Sequence, residues 1–166
     1  MKHITKAALL VAALSASACT NPGRFGAGAG GADGAMAGSV ADPASPAYFQ
    51  QAVGDRIFFA VDQSTLSPEA RDILAKQATW LADNPEYTAI IEGHADEQGT
   101  REYNLALGAR RASAVQTFLI DRGVAPHRLR TVSFGKERPL EICSEESCYS
   151  GNRRAVTVIS AGGMTS

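Results

Sequence analysis

The 166 residues carry 16 Lys and Arg against 17 Asp and Glu, and 45% of them are apolar. That length allows one ordinary domain with appended segments. The near-neutral charge lacks the positive excess that grips nucleic acid or an anionic membrane surface.

Lys2 and Lys6 flank the start of an apolar run, Ala7 to Leu14. It is too short to span a bilayer and has the form of an export signal. The run Ser15-Ala16-Ser17-Ala18 then leads into Cys19. Small residues before a cysteine resemble the processing site of bacterial lipoproteins. That resemblance implies cleavage after residue 18, a lipidated Cys19 at the new N-terminus and, with Thr20 rather than Asp next, an outer-membrane anchor facing the periplasm. Ala16 stands where that site usually has Leu, and Ala16-Ser17-Ala18 also fits ordinary A-x-A cleavage, which makes a secreted adaptor with an unlipidated Cys19 the alternative. Both readings put the protein outside the cytoplasm. Loss of Lys2 and Lys6 leaves 14 basic against 17 acidic residues, a net charge of −3. No other stretch is long and apolar enough to cross a bilayer.

Thr20 to about Ala47 is rich in Gly and Ala with almost no large apolar side chains. Such a stretch buries too little surface to offset its ordering entropy. It is expected to be a flexible tether, with residues 19–54 as a whole preceding a domain at 55–160 and a disordered tail at 161–166. A tether suits a protein fixed at one end that reaches for something at the other.

Arg56 to Val61 predicts a buried strand. Ser67-Pro68-Glu69 predicts a helix start, with Ser as cap, Pro in the first turn and an acid behind it. Ala70, Ile73, Leu74, Ala78 and Leu81 give that helix one apolar face, and Asn84-Pro85 ends it. Tyr87 to Glu92 predicts a second strand. Gly93 to Gly99 is a loop, and Thr100 caps a second helix that runs to Arg122 and stops at Gly123. Arg130 to Phe134 and Arg154 to Ile159 predict the third and fourth strands. Strands alternating with amphipathic helices imply an α/β (α+β) two-layer sandwich, with a mixed four-stranded sheet packed on helices.

Cys143 and Cys148 enclose four residues and, in an oxidising compartment, predict a small disulfide loop. A metal site would need two further ligands nearby. So short a closure should act locally, contributing about 2 kcal/mol or less.

The loop and helix from Glu92 to Ala112 hold the candidate site. They lie at the carboxyl end of a strand, where open α/β sheets tend to bind ligands. Asn104 and Arg111 stand two helical turns apart on one face with Gly108 between them, suggesting a notch. Asp96 precedes the helix, whose start favours an anion. A carboxylate, a helix N-terminus and an arginine suit a ligand bearing both an ammonium and a carboxylate. Each residue also has a plainer reading: Asp96 capping the loop, Arg111 pairing with Glu97, Gly108 admitting close helix–sheet packing.

The runs LSPEA (Leu66 to Ala70), IEGHADEQGTREYNLALGARRA (Ile91 to Ala112), TVSFGKERP (Thr131 to Pro139) and NRRAV (Asn152 to Val156) resemble the OmpA C-terminal-like family, in particular its lipid-anchored members of the Tol-Pal system. The resemblance covers nearly all of Asp55 to Ile159. It implies a groove that binds the diaminopimelate of the peptidoglycan stem peptide without catalysis, cofactor or resident metal. By motif position, Asp96 takes the ammonium and Arg111 the carboxylate. Asn104 and Arg153 add polar contacts, Thr100 and Leu107 line the site, and Asp62 joins it from the first strand. Ala60 and Val61 depart from the larger or more polar residues frequent there in the family. The resemblance also implies TolB and TolA as partners and a role in envelope integrity and constriction at division. An enzyme is the rival class, suggested by Glu92, His94, Asp96 and Glu97, but no H-E-x-x-H or G-x-S-x-G arrangement accompanies them.

Overall fold

In chain order the elements are α1 (Pro46–Tyr48) running into a π-helical turn (Phe49–Gly54), β1 (Arg56–Phe58), α2 (Pro68–Asp83), β2 (Tyr87–His94), α3 (Arg101–Asp121), a 3-10 turn (Pro126–Arg128), β3 (Leu129–Gly135), α4 (Glu146–Asn152) and β4 (Arg154–Ala161). This computed structural model describes residues 38–161; the expected export signal, Cys19, the first part of the expected tether and residues 162–166 lie outside the described residues.

The sheet order is β1-β4-β2-β3. β4 pairs antiparallel with β1 and with β2, while β2 and β3 run parallel, joined through α3. The helix boundaries follow the local chemistry. The Ser67 hydroxyl accepts from the Ala70 N–H at the head of α2, with Pro68 as its first residue. The Thr100 hydroxyl accepts from the Tyr103 N–H at the head of α3, and Gly123 follows that helix with φ +96°. Ile57, Leu74, Leu81, Ile91, Val115 and Leu119 meet in the core. Among the described residues, no helix is long and apolar enough to cross a membrane.

Three expectations change. The tether expected through residue 54 ends sooner: Ser45 caps α1, and Phe49 is wholly buried against Trp80. The strand expected over Arg56 to Val61 stops at Phe58. After one more bond, from the Phe59 N–H to the carbonyl of Arg153 just ahead of β4, the chain turns, with the Gln63 N–H donating to the Ala60 carbonyl. Asp62 takes φ +56° there, a left-handed conformation that Asp adopts more readily than most residues. Third, Gly108 opens no notch. A Cβ on Gly108 would lie 2.4 Å from the Ser133 hydroxyl, and one on Gly93 would lie 1.9 Å from the Gly108 carbonyl oxygen. Both glycines serve the close approach of α3 to the sheet, the plainer of the two readings.

Candidate functional site

A groove of about 210 Å³ opens beside the start of α3. Its wall comes from the turn after β1 (Val61, Asp62), the loop after β2 (Asp96, Gln98, Gly99) and the first half of α3 (Tyr103, Asn104, Leu107). Of the seven residues expected to bind ligand, Asp62, Asp96, Asn104 and Leu107 line it. Thr100 does not, its hydroxyl being occupied as the helix cap.

Asp96 is 8% exposed and held from both sides. Its Oδ1 accepts from the Gln98 N–H at 3.2 Å, and its Oδ2 from Arg153 Nη1 at 3.2 Å. The loop-capping role and the groove-lining role therefore coexist. Asn104 is buried and donates to the Gln98 carbonyl at 2.8 Å, fastening the loop to the helix. Lys136 fastens it from β3's side, donating to the carbonyls of Glu97 and Gly99. The Tyr103 hydroxyl donates to Asp62. Val61, Gln98, Gly99 and Tyr103 are the lining residues missed in the sequence. Tyr103 was legible in principle, lying four residues before Leu107 on the same helical face.

Arg111 sits beneath the groove rather than in its wall. It is wholly buried and pairs with no acid among the described residues, Glu97 included. Instead Nε donates to the Gln63 carbonyl at 2.8 Å, Nη1 to His94 at 2.8 Å and Nη2 to Ala60 at 3.2 Å. The guanidinium carbon lies 5.1 Å from the centre of the Phe59 ring. Burial pulls its pKa down to about 10, with Asp96 and Asp62 working in the opposite direction, so it is cationic at neutral pH. One buried cation thus braces the turn after β1 and the end of β2 and places positive charge under Asp96.

His94, at the end of β2, does not line the groove. Its ring is 2% exposed and stacks on Phe134, with centroids 5.5 Å apart. The nearest acid, Glu92, is 3.6 Å from Nε2, too far for a hydrogen bond. Burial, then Arg154 and Arg138, lowers its pKa from 6.5 to about 4. A folded-state value below the unfolded one stabilises the fold fully above the unfolded pKa and progressively less below it. Stability should therefore fall as pH drops from 6.5 toward 4, by on the order of 3 kcal/mol in all. Urea midpoints at pH 7, 5.5 and 4.5 check this. His94→Phe should flatten that window, and equal wild-type midpoints at pH 7 and 4.5 would refute the assignment. Glu69 and Glu146, whose pKa values are lowered, act below it.

A larger cavity, about 510 Å³, lies between the N-terminal turn and α2 against Pro43, Tyr48, Val53 and Trp80. None of the expected ligand-binding residues reaches it. Among the described residues there is no group of three or more His, Cys, Asp or Glu placed to hold a metal ion. Cys143 and Cys148 are joined as a disulfide.

The open mixed sheet is backed by helices, with the groove where β2 meets α3. Over residues 58–153 the chain matches the family model described as the OmpA family, and it belongs to that family. Within it, the chain is 54% identical to a peptidoglycan-associated lipoprotein of Mesorhizobium japonicum over 124 residues, 75% of this chain and 74% of the relative. It is 43% identical to the protein of that name from Pseudomonas aeruginosa over 128 residues, 77% of this chain and 73% of the relative. The crystal structure of the peptidoglycan-associated lipoprotein from Burkholderia pseudomallei superposes with a TM-score of 0.65 at 35% identity, over 73% of this chain and 98% of that one. The C-terminal domain of Helicobacter pylori MotB has a TM-score of 0.61 at 20% identity, over 66% of this chain and 86% of that one, a likeness of fold alone.

Proposed function

We propose that this chain is an outer-membrane lipoprotein of the periplasm that binds peptidoglycan non-covalently, tethering the membrane to the cell wall without catalysing a reaction. The observation that carries the reading is Asp96, a carboxylate in a small groove with two guanidinium groups close behind it. A groove of about 210 Å³ fits one amino-acid end group better than a chain of sugars. In this reading Asp96 receives the ammonium of diaminopimelate. Arg111 supplies the field for its carboxylate from beneath, and Asn104, Leu107 and Asp62 shape the wall. Arg153 acts through Asp96. Family membership supports TolB and TolA as protein partners and a part in envelope integrity and division.

Co-sedimentation with purified sacculi tests the binding. Wild type should pellet, Asp96→Ala should stay in the supernatant, and no soluble muropeptides should appear. Pelleting of the two proteins alike would sink the groove assignment; release of fragments would restore the enzyme reading. The anchor is tested separately. Mass spectrometry of the mature N-terminus should find Cys19 acylated, and an unmodified Cys19 would leave a secreted wall-binding protein.

A further inference from the structure

Arg153 is shared between two acids. Its Nε donates to the Phe59 carbonyl at 3.2 Å, and its Nη1 reaches Asp96 at 3.2 Å and Glu146 Oε2 at 3.3 Å. Its Nη2 donates to the other Glu146 oxygen. The Arg153 and Asp96 side chains are 6% and 11% exposed, but that of Glu146 is 65% exposed. Glu146 therefore meets the guanidinium from the solvent side while Asp96 meets it from the groove. Glu146 opens α4 inside the loop closed by the Cys143–Cys148 disulfide, whose Cα atoms are 5.9 Å apart. The same loop touches the loop after β2, where the Ser144 hydroxyl donates to Glu97 at 3.3 Å. The disulfide loop thus lies against the loop after β2 and carries the acid that meets Arg153.

Charge balance gives the arrangement a consequence. Asp62, Asp96 and Glu146 oppose Arg111 and Arg153, which leaves one net negative charge about the groove. Without Glu146 the balance is zero, and Arg153 belongs to Asp96 alone. A carboxylate already paired to a guanidinium attracts an incoming ammonium less, because the two cations compete for the same lone pairs and repel one another. We propose that Glu146 is a positioning residue for the groove: it neutralises Arg153 from outside, leaving Asp96 negative enough to receive an ammonium, and the Cys143–Cys148 loop keeps it in place. This deepens the peptidoglycan-binding reading and rests on it. The chemistry selected is a cationic nitrogen at the Asp96 end of the ligand.

The test uses the mature full chain and two probes, a diaminopimelate muropeptide and the same muropeptide acetylated on the free amine. Glu146→Gln keeps a hydrogen-bonding side chain and removes only the charge. It should weaken binding of the free-amine probe by about three- to tenfold, change binding of the acetylated probe by less than about twofold, and leave the melting temperature near that of wild type. Replacing Cys143 and Cys148 together by Ser should move affinity in the same direction by a smaller factor. Glu146→Gln binding the free-amine probe as wild type does, or more tightly, overturns the proposal; so do equal losses for both probes. Asp96→Ala separates the failures. If Asp96→Ala loses binding and Glu146→Gln does not, only the role of Glu146 falls. If Asp96→Ala binds as wild type does, the groove reading falls and this role with it.

Discussion

Arg111→Ala is expected to be the most damaging single change near the groove, and to damage the fold as well as binding. The guanidinium is wholly buried and donates to three carbonyls, those of Ala60, Gln63 and His94. Removing it takes the donor from the buried His94 carbonyl and the part-buried Gln63 carbonyl, while the Ala60 carbonyl keeps the Gln63 N–H, and it leaves Asp96 without the cation beneath it. Each orphaned acceptor costs roughly 1–3 kcal/mol, less whatever water enters the vacated space restores. A net loss on the order of 2–4 kcal/mol is expected, a large share of the roughly 5–15 kcal/mol that holds a typical domain. Asp96→Ala should behave differently. Arg153 keeps Glu146 as its partner, so the fold should survive, while binding of a diaminopimelate muropeptide weakens by about 2–5 kcal/mol, some 30-fold or more. Urea denaturation and muropeptide titration on both variants separate the two effects. Arg110→Ala is the control, since Arg110 is exposed and lies over the Tyr103 ring at 5.9 Å. Retention of wild-type stability in Arg111→Ala would contradict the bracing role. Retention of wild-type affinity in Asp96→Ala would contradict the ammonium site.

The contrast between these two residues also marks what could be read from the chain. Helical spacing put Asn104, Gly108 and Arg111 on one face, and that is the face they share. Spacing could not say that this face looks at the sheet. Arg111 is a charged residue at a core-facing position, where a polar side chain in a sequence suggests exposure. Its partners are backbone carbonyls, which leave no trace in a pattern of side chains. The helices α2 and α3 were legible because their caps are chemical signals: Ser67-Pro68-Glu69 and Thr100 at the starts, Gly123 after the end of α3. β1 was overextended because an apolar run does not show where pairing stops. The turn at Ala60 to Gln63 depends on a positive φ at Asp62 and on the guanidinium that holds its carbonyls. α4 was invisible, since seven residues around a cysteine carry no apolar period. With it went the link from Glu146 through Arg153 to Asp96.

Phe49→Ala is the second large expected effect, and it concerns where the folded domain begins. Glycine and alanine dominate the chain up to residue 47, which made everything before residue 55 read as spacer. Phe49 is wholly buried, with its ring 4.9 Å from that of Trp80, which in turn lies 5.2 Å from Tyr87. Two polar ties hold the same segment. The Trp80 indole N–H donates to the Pro43 carbonyl at 2.7 Å, and the buried Gln77 amide donates to the Gly54 carbonyl at 2.6 Å while accepting from the Thr157 hydroxyl at 2.8 Å. One aromatic residue in a Gly- and Ala-rich stretch thus closes the core over α2. Truncating a buried Phe typically costs about 3–5 kcal/mol, from lost transfer energy and the cavity left behind. For a domain of this size that lowers the melting temperature by roughly 10 °C or more. Starting the chain at residue 55 should cost more still, since it uncovers Trp80 and orphans the Gln77 amide. Thermal and urea denaturation of Phe49→Ala and of chains starting at residues 38 and 55 measure this directly. Chains from 38 and from 55 unfolding at the same midpoint would mean that the segment adds nothing to the core and is spacer after all. The expected result makes residues 45–54 part of the folded domain, so that pulling on the chain ahead of Ser45 would load the core at Phe49 before it loads the sheet.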